Sequence, residues 1–224
     1  MILKNRLFDR EPPSREAKSI YIFCEGVKRE FQYFKYFRNM DSRINIEIYD
    51  LDPHDNNSPK GLLNIAETAI IKSKTNPSPK YSFQQNDEVW IVFDRDIDKL
   101  DSRLNQIKSI RNVSSSRPAW NIAESNPCFE VWLFYHLNNQ YLPFKNDEKC
   151  RNWKRILAKK IPGGFDSRKH PILIQTAISN AKNNFKRNRQ NELLVGATEV
   201  LFLSESLYKV LKPKIELAIK KLSN

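Results

Sequence analysis

The sequence predicts an α/β fold: a mainly parallel sheet sandwiched between helices, followed by a basic helical region. Three observations predict it. Short apolar runs rich in β-branched and aromatic residues alternate with amphipathic stretches of helical period, the order of a βαβ chain. Two of those runs, Ser19-Ile20-Tyr21-Ile22-Phe23-Cys24 and Val89-Trp90-Ile91-Val92-Phe93, break abruptly into acid, at Glu25-Gly26 and at Asp94-Arg95-Asp96. From Pro127 onward the pattern turns helical and positive charge concentrates.

Residues 1–17 are polar, carry Pro12-Pro13 and read as a lead-in to the first strand. Phe31, Phe34 and Phe37 then recur at helical spacing, and Ile44-Asn45-Ile46-Glu47-Ile48-Tyr49 alternates strictly, as a half-buried strand does. Ser58-Pro59 opens a helix near 61–74, the serine as cap and the proline inside the first turn. Residues 75–86, with Pro77 and Pro79, read as a surface connection to the strand 88–93. Leu100, Leu104, Ile107 and Ile110 predict a helix over 99–111 with Asp98 as a candidate cap, and Ala119-Trp120-Asn121-Ile122 predicts a fourth strand. In such sheets a ligand sits beyond the carboxyl ends of the strands, where Glu25, Asp94 and Asp96 fall. Farther on, Cys128–Leu137 is apolar on most faces and predicts a buried helix. Lys149–Lys160 and Pro171–Arg187 read as basic amphipathic helices divided by Pro162-Gly163-Gly164, and Ala197–Leu222 as a helix interrupted at Pro213. The expected organisation is an α/β core over 1–126 with a basic helical region, 127–224, packed on it.

The net charge of +12 is uneven. Between Lys145 and Gln190 there are 13 Lys/Arg against 3 Asp/Glu, so the remaining residues share only +2. A basic lobe beside an acidic edge suits an enzyme acting on a polyanion; a solvated lysine-rich face is the plainer alternative. Trp153, Phe165 and Phe185 interleave with this charge, which favours nucleic acid as the partner of 145–190. The three cysteines have no CxxC spacing, which argues against a zinc site or disulfide framework and fits a reducing compartment. No apolar run reaches the roughly 18 residues of a membrane helix, and the first residues lack a leader's apolar core. A cytoplasmic protein without a membrane partner is expected, and a homo-oligomer is compatible with the sequence. With five glycines and no GxxxxGK[ST], the chain carries no nucleotide-phosphate loop of its own.

An unpaired buried carboxylate costs several kcal/mol, so paired acids at a strand end call for compensation, and a divalent cation supplies it. Phosphodiester hydrolysis uses such an ion to activate water and hold charge on the leaving oxygen. Asp94 and Asp96, two apart, would face the same side if extended geometry persists, and Glu25 would complete the set from a neighbouring strand. Gly26 would let a phosphate approach the main chain. Glu25, Asp94 and Asp96 are therefore the candidate ligands for Mg²⁺ or Mn²⁺; a turn or helix cap without metal is the simpler reading. Glu130, set among apolar neighbours, needs a partner, either that metal or Arg95, and shares a helix face with Asn126. His136 is either a hydrogen-bonded core histidine or an assistant in catalysis.

Three segments carry a resemblance: Cys24-Glu25-Gly26-Val27-Lys28-Arg29-Glu30, Asp87-Glu88-Val89-Trp90-Ile91-Val92-Phe93-Asp94-Arg95-Asp96, and Glu124-Ser125-Asn126-Pro127-Cys128-Phe129-Glu130-Val131-Trp132-Leu133. In this order, over roughly 19–137, they resemble the RloB-like family, bacterial proteins encoded near restriction–modification and abortive-infection loci and similar to toprim domains. The resemblance implies a toprim-like sandwich, with Glu25 as general acid/base or metal ligand and Asp94 and Asp96 as Mg²⁺ ligands. It implies a nuclease for RNA, tRNA included, or DNA that serves anti-phage defence with an ABC-type ATPase in trans. Arg29 departs from the threonine usual before the second glutamate, which leaves Glu30 without an assigned role. The third segment is not part of a standard toprim domain, and a non-catalytic module that binds nucleic acid or a partner is the alternative.

Overall fold

The computed structural model describes residues 8–96, 100–139, 149–161 and 163–223. Four strands form one sheet: β1 (Lys18–Cys24), β2 (Ile44–Ile48), β3 (Glu88–Asp94) and β4 (Trp120–Ser125). Their order is β2-β1-β3-β4 and every pairing is parallel. The chain winds from β1 to β2 through α1 (Arg29–Lys35), returns past β1 to β3 through α2 (Pro59–Ile70), and reaches β4 through α3 (Leu100–Ser116).

Strand alternation divides the core in two. Ile20, Ile22, Ile44, Ile46, Trp90 and Val92 point to one face, where Tyr33, Phe34 and Phe37 of the α1 segment cover them. Tyr21, Phe23, Val89, Ile91 and Phe93 point to the other, under Leu62, Ala66, Ile107 and Ile110 of α2 and α3. Reversing the winding direction while keeping right-handed crossovers requires the connecting helices to change face, and they do. The reversal falls between β1 and β3, and in open sheets of this kind ligands bind beyond the carboxyl ends of the strands at that point.

After β4 the chain covers the α1 face with α4 (Glu130–Tyr135), α5 (Cys150–Lys160), α6 (Ile174–Asn183) and α7 (Val200–Ser223). The apolar cluster runs without a break from the sheet into these helices, with Trp132 and Trp153 fully enclosed. The α2 start matches expectation: Gly61 N–H donates to the Ser58 hydroxyl at 3.2 Å, and Pro59 occupies the first turn.

Several expectations need correction. Pro213 does not interrupt α7. Pro213 is exposed, as is Lys209 four residues before it, so the carbonyl that loses its N–H partner can turn to water while Leu211 and Ile215 stay buried. The segment 171–187 is not one helix: a 3₁₀ turn, His170–Leu173, precedes α6, which stops at Asn183. Helix α3 runs on to Ser116. Trp153 is buried against Phe134 at 5.6 Å between centroids, and Phe165 packs on His136 at 5.1 Å. Trp153 is therefore core and not a platform for a base, and Phe165 is half-buried against the same core. Asp98, Pro162 and residues 145–148 of the basic segment lie outside the described residues, as does the Leu100 side chain.

Candidate functional site

Glu25 directly follows β1, and its N–H donates to Val92 O of β3 at 2.9 Å, so the sheet fixes it beside the end of that strand. Alternation sends Glu25 toward α3 and Asp94 toward the face carrying α1 and α4. The partners agree. Arg103 of α3 grips Glu25 through both guanidinium ends, at 2.7 and 2.6 Å. The Asp94 carboxylate accepts the Phe129 N–H at 2.8 Å, just before α4, and Asp94 N–H donates to Glu25 at 3.2 Å.

Two more acids join them. Glu30, in the first turn of α1, is buried, and its carboxylate occupies the space beside Gly26 where a Cβ would stand. The room left by that glycine is filled by a side chain of the chain itself rather than left open for phosphate. Glu130, at the start of α4, is buried and paired with Arg29, whose own side chain is half exposed. Burial, then the charges of Glu130 and Glu25, push the Glu30 carboxyl up to about 7. Asp94 keeps some exposure as a residue, yet its carboxyl is enclosed; enclosure, then Glu30 and Glu25, hold it well above the usual carboxylate range. The sheet thus gathers Glu25, Glu30, Asp94 and Glu130 at one edge, close enough to perturb one another.

Asp96 is placed differently from expectation. Strand β3 ends at Asp94, and Asp96 has φ of 44°, in the left-handed region, so the two aspartates do not project as an extended pair. Cys150 Sγ approaches Asp96 at 4.0 Å. The third sequence segment explains how this turn is held: Arg95 N–H donates to Ser125 O at 2.8 Å and Asp96 N–H to Pro127 O at 3.0 Å. Asn126 is not on a helix face with Glu130; its side-chain amide donates to Leu193 O at 2.7 Å, and Gly196 N–H donates back to Asn126 O at 2.8 Å. The segment therefore splints the acidic turn to the 193–198 strap.

Arg95 does not pair with Glu130, which Arg29 already holds. It turns the other way, to Glu124 and Glu192, each at 3.3 Å. Glu124 and Glu199 also bind Arg111, and Glu199 binds Arg187, which makes a network around these two buried acids that links α3, β4 and the strap. His136 is a core histidine: Tyr33 Oη lies 3.1 Å from its Nε2, Trp132 O lies 3.1 Å from its Nδ1, and burial lowers it to about 3.

Among the described residues, no three acids, histidines or cysteines converge on one point as a closed metal cage. The donor chemistry still fits a hard divalent cation, because Mg²⁺ takes one or two carboxylates and keeps several waters. Both oxygens of Glu25, however, are directed at Arg103. Sequence reasoning missed Arg103 and left Glu30 aside. Both had a signal: Glu30 stands three and four residues before Tyr33 and Phe34, and Arg103 four before Ile107, so each charge lies in a buried helical stripe.

Fold and site together define a doubly wound α/β protein with a cluster of acidic side chains at the reversal point of its sheet. The chain belongs to the RloB-like protein family, whose model matches residues 20–207. Comparisons with curated proteins and with solved structures return no match.

Proposed function

We propose that the protein is a Mg²⁺- or Mn²⁺-dependent, toprim-like nuclease that hydrolyses RNA, tRNA included, or DNA and acts in bacterial anti-phage defence, controlled by an ABC-type ATPase in trans. One observation carries the reading: Glu25 and Asp94 end adjacent strands at the reversal point of the sheet, where Glu30 and Glu130 raise the local acid surplus. Surplus carboxylate of this kind is relieved by a divalent cation. Asp94 and Asp96, with Glu25, would hold the ion, and the ion supplies a Lewis acid and a water of lowered pKa. Phe129 N–H orients Asp94 for that task. Glu30, with its carboxyl near 7, can take a proton at neutral pH. Exposed Arg151, Lys154, Arg155, Lys159 and Lys160 on α5 offer a cationic face to a phosphate backbone, which gives affinity without sequence choice.

The test is cleavage of tRNA, other RNA and DNA by the purified chain with Mg²⁺ or Mn²⁺, with and without a cognate ATPase. Glu25→Gln and Asp94→Asn should abolish cutting; Asp94→Asn should melt close to wild type, whereas Glu25→Gln, which leaves the buried Arg103 without its carboxylate, should melt lower. Normal cutting by both variants would remove the acids from the reaction. A second reading, a non-catalytic module for nucleic acid or a partner, is favoured by the occupation of Glu25 by Arg103. It gains if nothing is cut under any of these conditions.

A further inference from the structure

Among the described residues, Arg103 is the one arginine that enters the acidic edge from the α3 side. It is 4 % exposed, and its two terminal nitrogens reach separate oxygens of Glu25 at 2.7 and 2.6 Å. The same Nη1 donates to the Asp94 main-chain carbonyl at 2.6 Å, so the guanidinium bridges the ends of β1 and β3. A planar fork on a carboxylate is the strongest common form of this pair, and a lysine cannot reproduce it. Burial works against the charge, but Glu25 outweighs it, and Arg103 holds its proton more firmly than a free arginine. A divalent cation seeking Glu25 must therefore compete with an ion pair already in place.

We infer that Arg103 is a positioning residue that sets the cation affinity of this edge, with Glu25 exchanging between the Arg103 guanidinium and a divalent ion. The inference rests on the metal-dependent reading above. In the ion-free protein the guanidinium compensates Glu25 and keeps its carboxylate aimed between the two strands. On ion binding Glu25 must release at least one of its two bonds to the fork. Removing the fork takes away both a competitor and a neighbouring positive charge, so the ion should bind more tightly.

The experiment is Mn²⁺ titration of the whole chain at a pH near 8, followed by electron paramagnetic resonance of the free ion. Wild type, Arg103→Met, Arg103→Lys and Asp94→Asn are compared, with a metal-free melt for each. Arg103→Met should bind Mn²⁺ roughly ten- to a hundredfold more tightly than wild type, the range expected for charged hydrogen bonds removed from competition. Arg103→Lys should fall between, because the charge stays and the fork is lost. A purely structural Arg103 would move the melt and leave the Mn²⁺ affinity alone. If wild type binds Mn²⁺, Asp94→Asn does not, and Arg103→Met binds no more tightly, the metal site stands and the exchange is refuted. If neither wild type nor Arg103→Met binds Mn²⁺, both the exchange and the metal reading fall. Should Arg103→Met not fold, Arg103→Lys decides: an affinity equal to wild type refutes the exchange.

Discussion

Two groups of buried and half-buried acids flank the turn Asp94–Asp96, and they are balanced differently. On the β4 side Glu124, Glu192 and Glu199 meet Arg95, Arg111 and Arg187, three for three. On the β1 side Glu25, Glu30, Asp94 and Glu130 meet Arg29 and Arg103 among the described residues. In the first group burial raises the Glu124 carboxyl, but Arg111 and Arg95 pull it back. In the second, burial and neighbouring carboxylates push in the same direction at Asp94. A balanced network ties elements together, whereas an acid surplus stores repulsion that only a proton or another cation relieves. The lesson is that the tie and the candidate site share one strand end, and charge balance tells them apart.

Deleting one acid from each group should separate them most sharply. Glu199→Ala takes the acid from Arg187, leaves Arg111 with Glu124 alone and removes the acceptor of the Glu124 N–H, and should cost about 3–5 kcal/mol in a urea melt. Asp94→Asn keeps an acceptor for Phe129 N–H and relieves repulsion, so its melt should stay near wild type. Equal losses in the two would erase the distinction.

The next effect is a pH dependence. In the fold Glu30 titrates near 7 against an ordinary value of 4.5, so the folded chain holds more protons than the unfolded chain between those values. Its contribution is fully present below about 4.5 and lost as pH rises through about 7. Relative to Glu30→Gln, wild type should lose on the order of 3 kcal/mol across that window in metal-free buffer. Parallel stability curves for the two proteins would deny Glu30 its place in the surplus.

Gly26→Ala should follow, at about 1–3 kcal/mol, because the new methyl meets the Glu30 carboxylate. Pairing it with Glu30→Ala should recover most of that loss; no recovery would mean that the clash lies elsewhere. The smallest signal belongs to His136. Because its value is lowered to about 3, it should stay neutral through the range around pH 5 to 8, and its ring resonances should not titrate there. A midpoint near 6.5 would contradict its burial.

The fold was largely legible because burial on both faces leaves parallel strands as apolar runs, and Val89–Phe93 is one. Glu25 and Asp94 followed from those runs, since a strand end at the sheet edge is a place, not only a pattern. The side that Asp96 takes differs from expectation because alternation holds only while the chain stays extended, and φ at Asp96 leaves that region. Arg95 was assigned to the wrong acid because nothing in local spacing reveals that Arg29, 101 residues before Glu130, reaches it first. Pro213 misled because a proline's cost in a helix depends on whether the freed carbonyl meets water, which only the packed α7 decides. Trp153 differs from expectation for a related reason: a ring between lysines is equally a helix's inward face.

The claim at the centre is that the acid surplus beside β1 is a divalent cation site. Its most direct test is the melting temperature of wild type and Asp94→Asn with and without millimolar Mg²⁺, against monovalent salt of matched ionic strength. A ligand bound only by the folded chain raises the melt by mass action, so wild type should rise steadily with Mg²⁺ while Asp94→Asn stays flat. A wild type indifferent to Mg²⁺, or a variant that rises equally, would contradict the claim.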